Sequence, residues 1–333
     1  MIHARYVKIM LPPAISILLL CGVVWWVTPA KLAESAAALN WQQLVPVTAI
    51  MVVGLYLWDA VCLPAAYQVE GRKITYWQAL HLRGLTYVGG SLNYELGQAA
   101  LAWGMARLQG AGLVTMLARS VLLAYHDILV LLIGGFVGSL LTDDPRVVRL
   151  RPWIATGLAI GLAVGLLAWL LPTLWRNHFR PADKSSLLAG WSLGRSMRLV
   201  PLRIMYFGIL VTYATAALAI CRIPVDWQVA LSTVPLVLLA DGLPSFASLG
   251  SRETVLHFLL APSGPNPTLV AMSLVWSIGM IVGRLLIATV HLSLHRTQFG
   301  TGFFAAADSQ GNDIASQTGS PASVTEDELR RTA

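Results

Sequence analysis

Six runs of this chain, Met10 to Val27, Leu44 to Ala66, Leu113 to Leu141, Trp153 to Leu174, Ile204 to Cys221 and Thr268 to His291, are apolar over the length that a bilayer core demands of a helix. No other feature restricts the fold as much. In hydrocarbon each backbone N–H and C=O must be satisfied within the protein, so runs of this kind fold as helices. Hydrophobic residues make up 56% of the 333 and charged residues 12%, which leaves too little polar surface to coat a soluble globule. The expected fold is therefore an all-α polytopic membrane protein.

Two further stretches, Tyr76 to Leu108 and Trp227 to Leu260, are apolar but interrupted near the middle. Their halves are short for a crossing, so each reads as a re-entrant helical hairpin. The order is then helix, helix, hairpin, helix, repeated once, with halves at about 1–145 and 146–304. An odd number of crossings in each half inverts the second relative to the first. Inverted repeats with broken helices meeting near the midplane are a transporter design. Beyond about Ala305 the chain is rich in Ser, Thr, Gly and acids without apolar periodicity, and 305–333 is expected to be a disordered cytoplasmic tail.

Basic residues test this topology. With the N-terminus inside, the segments assigned to the inner side carry eleven Lys and Arg, among them Arg5, Arg72, Arg195, Arg198, Arg203 and Arg296. The outer loops carry five: Lys31, Arg146, Arg149, Arg151 and Arg222. The bias places both termini in the cytoplasm of a multi-pass protein of the cell inner (plasma) membrane. It also accounts for the net charge of +7 without nucleic acid. Met10 to Val27 is longer than a usual signal-peptide core and Thr28-Pro29-Ala30 is a poor cleavage site, so this run reads as the first membrane helix. Cys21, Cys62 and Cys221 lie singly in apolar runs, without metal or redox spacing.

The interruptions carry the chemistry. Asp241 to Glu253 places Gly242, Pro244, Gly250, two acids and Arg252 inside an apolar stretch, with Ser251 as expected N-cap and Glu253 in the first turn of a short helix. Glu253 and His257, four apart, share a face. Gly89 to Gln98 repeats the grammar, with Asn93 as N-cap and Glu95 in the first turn. Helix N-termini offer free N–H groups to phosphate or carboxylate, although an acid there is also favourable on dipole grounds alone. On the third long helix Arg119 and His126 share a face and Asp127 adjoins them. Arg119 suits a phosphate or a protein carboxylate, with Asp127 as its counter-charge. Asp59 and Arg284 read as structural ion pairs or snorkelling groups, and His81 and His257 as packing histidines. Trp25, Trp26, Trp41, Trp153 and Trp175 fit interfacial belts.

Leu243 to Glu253 resembles the Pro, Gly-rich, Gly-x-x-Glu signature of the lysylphosphatidylglycerol synthase transmembrane-region family of flippase-like proteins, with Pro244, Gly250 and Glu253 at the motif positions. Asn93, Gly97 and Gln98 correspond to an earlier motif of that family, and His126-Asp127 to a later one. The first motif departs from the family pattern: no proline precedes Gly97, and Gln98 stands where an acid is usual. The resemblance spans about Met10 to His291. It implies a lipid-handling domain. In members joined to a soluble aminoacyltransferase the membrane part moves the modified phospholipid between leaflets, and others accompany glycolipid, polyprenyl-lipid or hopanoid pathways. No such soluble domain is apparent here, so aminoacyl transfer is not expected of this polypeptide.

The reading that follows is a flippase for a polar-headgroup lipid, with Asn93, Glu95, Gln98, Arg119, Asp127, Asp241, Pro244, Gly250, Arg252 and Glu253 as candidate substrate-binding residues and no catalytic residue. The expected partner is a membrane lipid, and a lipid-biosynthetic enzyme or a second copy of the chain are the protein partners this reading allows. No cofactor is expected, and the absence of a Walker-type phosphate loop argues against ATP as direct driver. The alternatives are an intramembrane lipid-modifying enzyme, such as a polyprenyl-phosphate-dependent glycosyltransferase using Asp143-Asp144, or a scaffold of a biosynthetic complex.

Overall fold

The computed structural model describes residues 18, 21–22, 24–69, 72–176, 193–240, 250–260 and 266–298. They are helical apart from short connectors, and no strand occurs among them. The helices are α1 (Pro29–Ala37), α2 (Trp41–Tyr67), α3 (Tyr76–Leu92), α4 (Tyr94–Gln109), α5 (Leu113–Leu140), α6 (Pro145–Arg176), α7 (Leu193–Ile220), α8 (Trp227–Leu239), α9 (Ser251–Leu260) and α10 (Pro267–Gln298). Five are long and apolar enough to cross a membrane: α2, α5, α6 over Pro145–Ala168, α7 over Gly194–Ile220 and α10 over Pro267–Leu294. This is an all-α protein with the makings of a multi-pass membrane protein. The sixth expected span, Met10 to Val27, lies mostly outside the described residues, as does the tail 305–333. The chain divides into two units, residues 1–288 and 289–333. In the second unit the described residues 289–298 are helical.

Local signals explain most helix ends. Asn40 caps α2 by accepting from Gln43 N at 3.3 Å. Thr75 and Gln78 form a reciprocal capping box at the start of α3. Asp144 accepts the Arg146 N–H at 2.9 Å, with Pro145 in the first helical position of α6. Gly110, at φ 50, closes α4 in the left-handed conformation that favours glycine.

The interruption expected in Tyr76 to Leu108 falls at Asn93. Its extended backbone ends α3, and its side chain accepts from Glu95 N at 2.7 Å and Leu96 N at 3.3 Å to start α4. The arms then fold against each other through glycines. A Cβ on Gly97 would lie 2.6 Å from Gly90 Cα and 2.8 Å from its nitrogen, so the backbones touch. The same device joins α5 to α8, where a Cβ on Gly138 would lie 2.5 Å from Ser232 N.

Helices α2 and α7 run antiparallel along one seam. It is marked by a Thr48–Tyr213 hydroxyl pair at 3.0 Å, by the Trp58 indole donating to Leu202 O at 2.8 Å, and by Asp59 against Arg203. Leu44, Met51, Val52 and Leu55 of α2 pack with Phe207, Leu210, Ala214 and Ala217 of α7 in the main apolar core.

Two expectations need correcting. Helix α7 begins at Leu193, not Ile204, because Arg195, Arg198 and Arg203 lower the hydropathy of its first turns without ending the helix. Arg203 is thus a buried helical residue and not a loop charge. Without Arg203 the Lys and Arg assigned to the inner side number ten, against five assigned to the outer loops. Among those five, Arg146 is paired to Asp144, and Arg151 donates to the carbonyls of Ser139, in the last turn of α5, at 2.5 Å and of Thr142, just beyond it, at 3.3 Å. Further along, Ser251 is the first helical residue of α9 and not its N-cap. Gly250, at φ 86, takes that position, its carbonyl accepting from Thr254 N at 3.0 Å.

Candidate functional site

Asp59 sits in the interior of α2 with its side chain 2% exposed, and a lone carboxylate there would be prohibitively unstable in low dielectric. Two arginines from other helices compensate it. Arg83 of α3 forms an ion pair with Asp59 Oδ2, and Arg203 of α7 donates from Nη1 to Oδ1 at 3.0 Å. Arg203 also donates from Nε to Asp127 of α5. Four helices therefore meet in one alternating chain of charges, Arg83–Asp59–Arg203–Asp127. Asp59, Asp127 and Arg203 lie at least ~12 Å from the nearest end of their helices at 1.5 Å per residue.

The inner members of the chain are sealed and the outer ones are not. The side chains of Asp59 and Arg203 are 2% and 5% exposed, against 14% for Arg83 and 15% for Asp127. Aromatic rings enclose the group. Tyr206 lies under the Arg203 guanidinium at 4.2 Å and Tyr87 beside Arg83 at 5.1 Å. Tyr94, at the turn of the α3–α4 hairpin, is within electrostatic range of all four charges and nearly half exposed. On the other side, Arg284 of α10 also reaches the Tyr87 ring, at 5.7 Å.

The candidate substrate-binding residues that the structure describes fall in four places. Asp127 belongs to the quartet, paired with Arg203 and not with Arg119 as expected. Arg119 instead donates from Nη1 to the carbonyls of Tyr67 at 2.5 Å and Gln68 at 2.6 Å, satisfying the C-terminal end of α2. Gln109 assists it by donating to Tyr67 O at 2.9 Å. Asn93, Glu95 and Gln98 lie at the hairpin turn near Tyr94, with Glu95 exposed. Gln98 Oε1 is shielded and accepts no hydrogen bond among the described residues. An ionised acid would be costlier in that spot than an amide.

Gly250, Arg252 and Glu253 form a second polar group, on α9. Glu253 Oε2 accepts the Gly250 N–H at 2.7 Å and Oε1 accepts the Ser277 hydroxyl of α10 at 2.7 Å. Both oxygens are thus committed to starting α9 and fastening it to α10. Arg252 lies over the Trp276 ring at 4.8 Å, and Trp276 in turn contacts Tyr213 at 5.2 Å. Asp241 and Pro244 lie outside the described residues.

Asp59 is the ion-pair residue its position in α2 suggested. Arg284 has no carboxylate partner among the described residues. His126 and His257 are buried; His126 Nδ1 faces Leu122 O at 2.7 Å and His257 packs edge-on against Trp26. Asp144 is held by Arg146 in two hydrogen bonds, at 2.9 and 2.6 Å, which keep its carboxyl below the usual range. Sequence reasoning missed Arg83 and misplaced Arg203. The available signal was Asp59 itself, since an acid in the middle of an apolar helix requires a cation. No group of three or more His, Cys, Asp or Glu suited to a metal ion occurs among the described residues. No family model and no curated protein matches the chain.

Proposed function

We propose that this protein moves a polar-headgroup lipid between the leaflets of the cell inner membrane. The observation that carries this reading is the charge quartet: it lies in the interior of apolar helices, is closed at Asp59 and Arg203, and is slightly exposed at Arg83 and Asp127, with Arg83 on the arm of an interrupted helix. Taking a bare headgroup through hydrocarbon costs several kcal/mol per unsatisfied polar group. A preassembled set of charges lowers that barrier by exchanging one internal partner for a headgroup atom. Arg83 and Asp127 have the exposure for this exchange, and Asn93, Glu95 and Gln98 flank the approach.

In this reading α3–α4 and α8–α9 are re-entrant hairpins of two inverted halves, and the lipid tails stay in the bilayer while the headgroup visits the quartet. The two termini face the cytoplasm. The resemblance of Pro244, Gly250 and Glu253 to a flippase-like motif supports the same class. Arg119 and Glu253 act in it as structural fasteners, and Asp127 as a headgroup contact.

Purified protein in vesicles with acyl-labelled phospholipids tests the proposal by accessibility of the label to a membrane-impermeant quencher. The parent accelerates exchange between leaflets and Asp59→Asn does not. Exchange no faster than in protein-free vesicles defeats the transport reading.

A further inference from the structure

Helix α2 stops at Tyr67 and α4 at Gln109, while α5 and α7 start at Leu113 and Leu193. These four ends meet. Gln109 and Arg119 both donate to Tyr67 O, at 2.9 and 2.5 Å, and Leu199 of α7 is buried in one cluster with Tyr67, Met105 and Met116. Cations gather around the junction. Arg72 and Lys73 follow α2, Arg107 stands in the last turn of α4, and Arg195 and Arg198 stand in the first two turns of α7. The Arg72 guanidinium rests against the end of α4, where a Cβ on Gly110 would lie 2.5 Å from Nη1. Arg195 is within electrostatic range of Arg119.

Acids are scarce at this end and not at the other. Residues 64–75, 104–119 and 193–202 hold six Lys and Arg and one acid, Glu70, which lies outside the described residues. The connectors at the opposite ends of α2, α5 and α7, residues 28–40, 141–151 and 221–226, hold five Lys and Arg and four acids. The surplus of positive charge therefore belongs to one side. Arg72, Lys73, Arg107 and Arg198 are exposed, and none of them forms an ion pair among the described residues. Two exposed indoles mark the depth: Trp77 in the first turn of α3, and Trp103, whose ring lies 4.2 Å from the Arg107 guanidinium. Tryptophan and arginine together are characteristic of the headgroup level of a bilayer.

With α2, α5 and α7 as membrane spans, this junction lies at one interface. We infer that it is a docking surface for anionic phospholipid headgroups of the adjoining leaflet, whose phosphates take Arg72, Lys73, Arg107 and Arg198 as partners. Arg119 is held inward by the Tyr67 and Gln68 carbonyls and adds its charge from behind. Charge complementarity selects the occupant, since each basic group at an anionic leaflet favours association by roughly fivefold. A zwitterionic headgroup brings its own cation and forfeits most of that gain. Docking of this kind requires no movement between leaflets.

The test reconstitutes the full chain in nanodiscs holding equal amounts of phosphatidylglycerol and phosphatidylcholine, and counts lipid retained after detergent extraction by native mass spectrometry. The parent retains phosphatidylglycerol over phosphatidylcholine roughly tenfold at low salt. The preference shrinks at about 0.5 M salt, because exposed charges are then screened within a few ångström, and this arm needs no variant. Arg72→Gln with Arg198→Gln brings the ratio to about one, and the Arg72→Lys and Arg198→Lys pair keeps the parent's preference. Lys31→Gln with Arg149→Gln removes the same charge at the opposite ends and leaves the preference unchanged. Equal retention of the two lipids by the parent, a salt-independent preference, or the same loss in the opposite-end pair overturns the docking surface. Displacement of phosphatidylglycerol by millimolar inorganic phosphate at constant ionic strength also overturns it, in favour of a site for soluble anions.

Discussion

Asp59 and Arg203 are 144 residues apart in sequence and 3.0 Å apart at the crossing of α2 and α7. Their contact ties the first half of the chain to the second at the level of Asp127. The arginine is the central member of the quartet, giving Nη1 to one carboxylate and Nε to another. That division of labour requires a planar fork.

Removing a charge from this group leaves its neighbours uncompensated. Asp59→Asn leaves Arg83 without a carboxylate and Arg203 with Asp127 alone, and the expected loss of stability is about 3–5 kcal/mol. Arg203→Lys is not conservative, because one ammonium cannot serve two carboxylates from two nitrogens, and it is expected to destabilise as well. Thermal unfolding of the detergent-solubilised protein, followed by size-exclusion profile, measures both. Midpoints equal to the parent's would mean that the quartet contributes nothing to the fold.

The α3–α4 hairpin is predicted to depend on Gly97. An added methyl would meet Gly90 backbone atoms at 2.6 and 2.8 Å, and backbone cannot rotate aside as a side chain can. Gly97→Ala should cost about 1–3 kcal/mol by forcing the arms apart. Gly54→Ala is the control, since nothing lies within 4 Å of its new Cβ and alanine favours the helix by up to about 1 kcal/mol. The same unfolding measurement must separate the two variants in opposite directions.

At Glu253 the prediction concerns hydrogen-bond chemistry. Its two oxygens accept from Gly250 N–H and Ser277 O–H, and an amide retains one acceptor while offering the Ser277 hydroxyl a donor instead. Glu253→Gln should therefore cost about 1 kcal/mol, and Glu253→Ala more, because the buried Gly250 N–H loses its partner. With Ser277→Ala in a double-mutant cycle, Glu253→Gln should show reduced coupling to Ser277. A Glu253→Gln variant that fails to fold would contradict this assignment.

The described helices and the first interruption were legible because length, apolarity and cap chemistry are local: Asn93, Thr75, Asp144 and Gly110 each end or start a helix through residues within a few positions. The first interruption was placed correctly for that reason. Asp59 announced the need for a cation, but nothing local distinguishes Arg203, Arg198 or Arg119 as its partner. The choice is made by the antiparallel register of α2 on α7, which depends on packing along the entire seam. Arg203 read as a loop charge because hydropathy averages over a window and cannot register compensation by a distant acid. Arg119 was assigned to a ligand since the carbonyls it satisfies, at Tyr67 and Gln68, are a consequence of where α2 stops. Gln98 Oε1 is shielded and accepts no hydrogen bond among the described residues, a setting in which an amide costs less than a charge, and nothing local in the sequence marks that burial.

Acidification should weaken the start of α6 at the α5–α6 connector, outside the membrane-spanning segments. Arg146 holds Asp144 below the usual carboxylate range through its side-chain hydrogen bonds, and Asp144 also caps α6. A carboxyl whose pKa is lower folded than unfolded adds stability that is complete above the unfolded value, near pH 4, and is lost as the pH falls through the folded value. The pair is partly exposed, so its electrostatic share is small, about 0–1 kcal/mol, beside a cap worth about 1 kcal/mol. Asp144→Asn keeps the capping oxygen and removes the charge. It should unfold slightly earlier than the parent at neutral pH, and the difference should close as the pH is lowered below about 4. Unfolding midpoints of the two proteins across this range decide the matter: a gap that widens on acidification would mean that Arg146 does not hold the ionised form of Asp144.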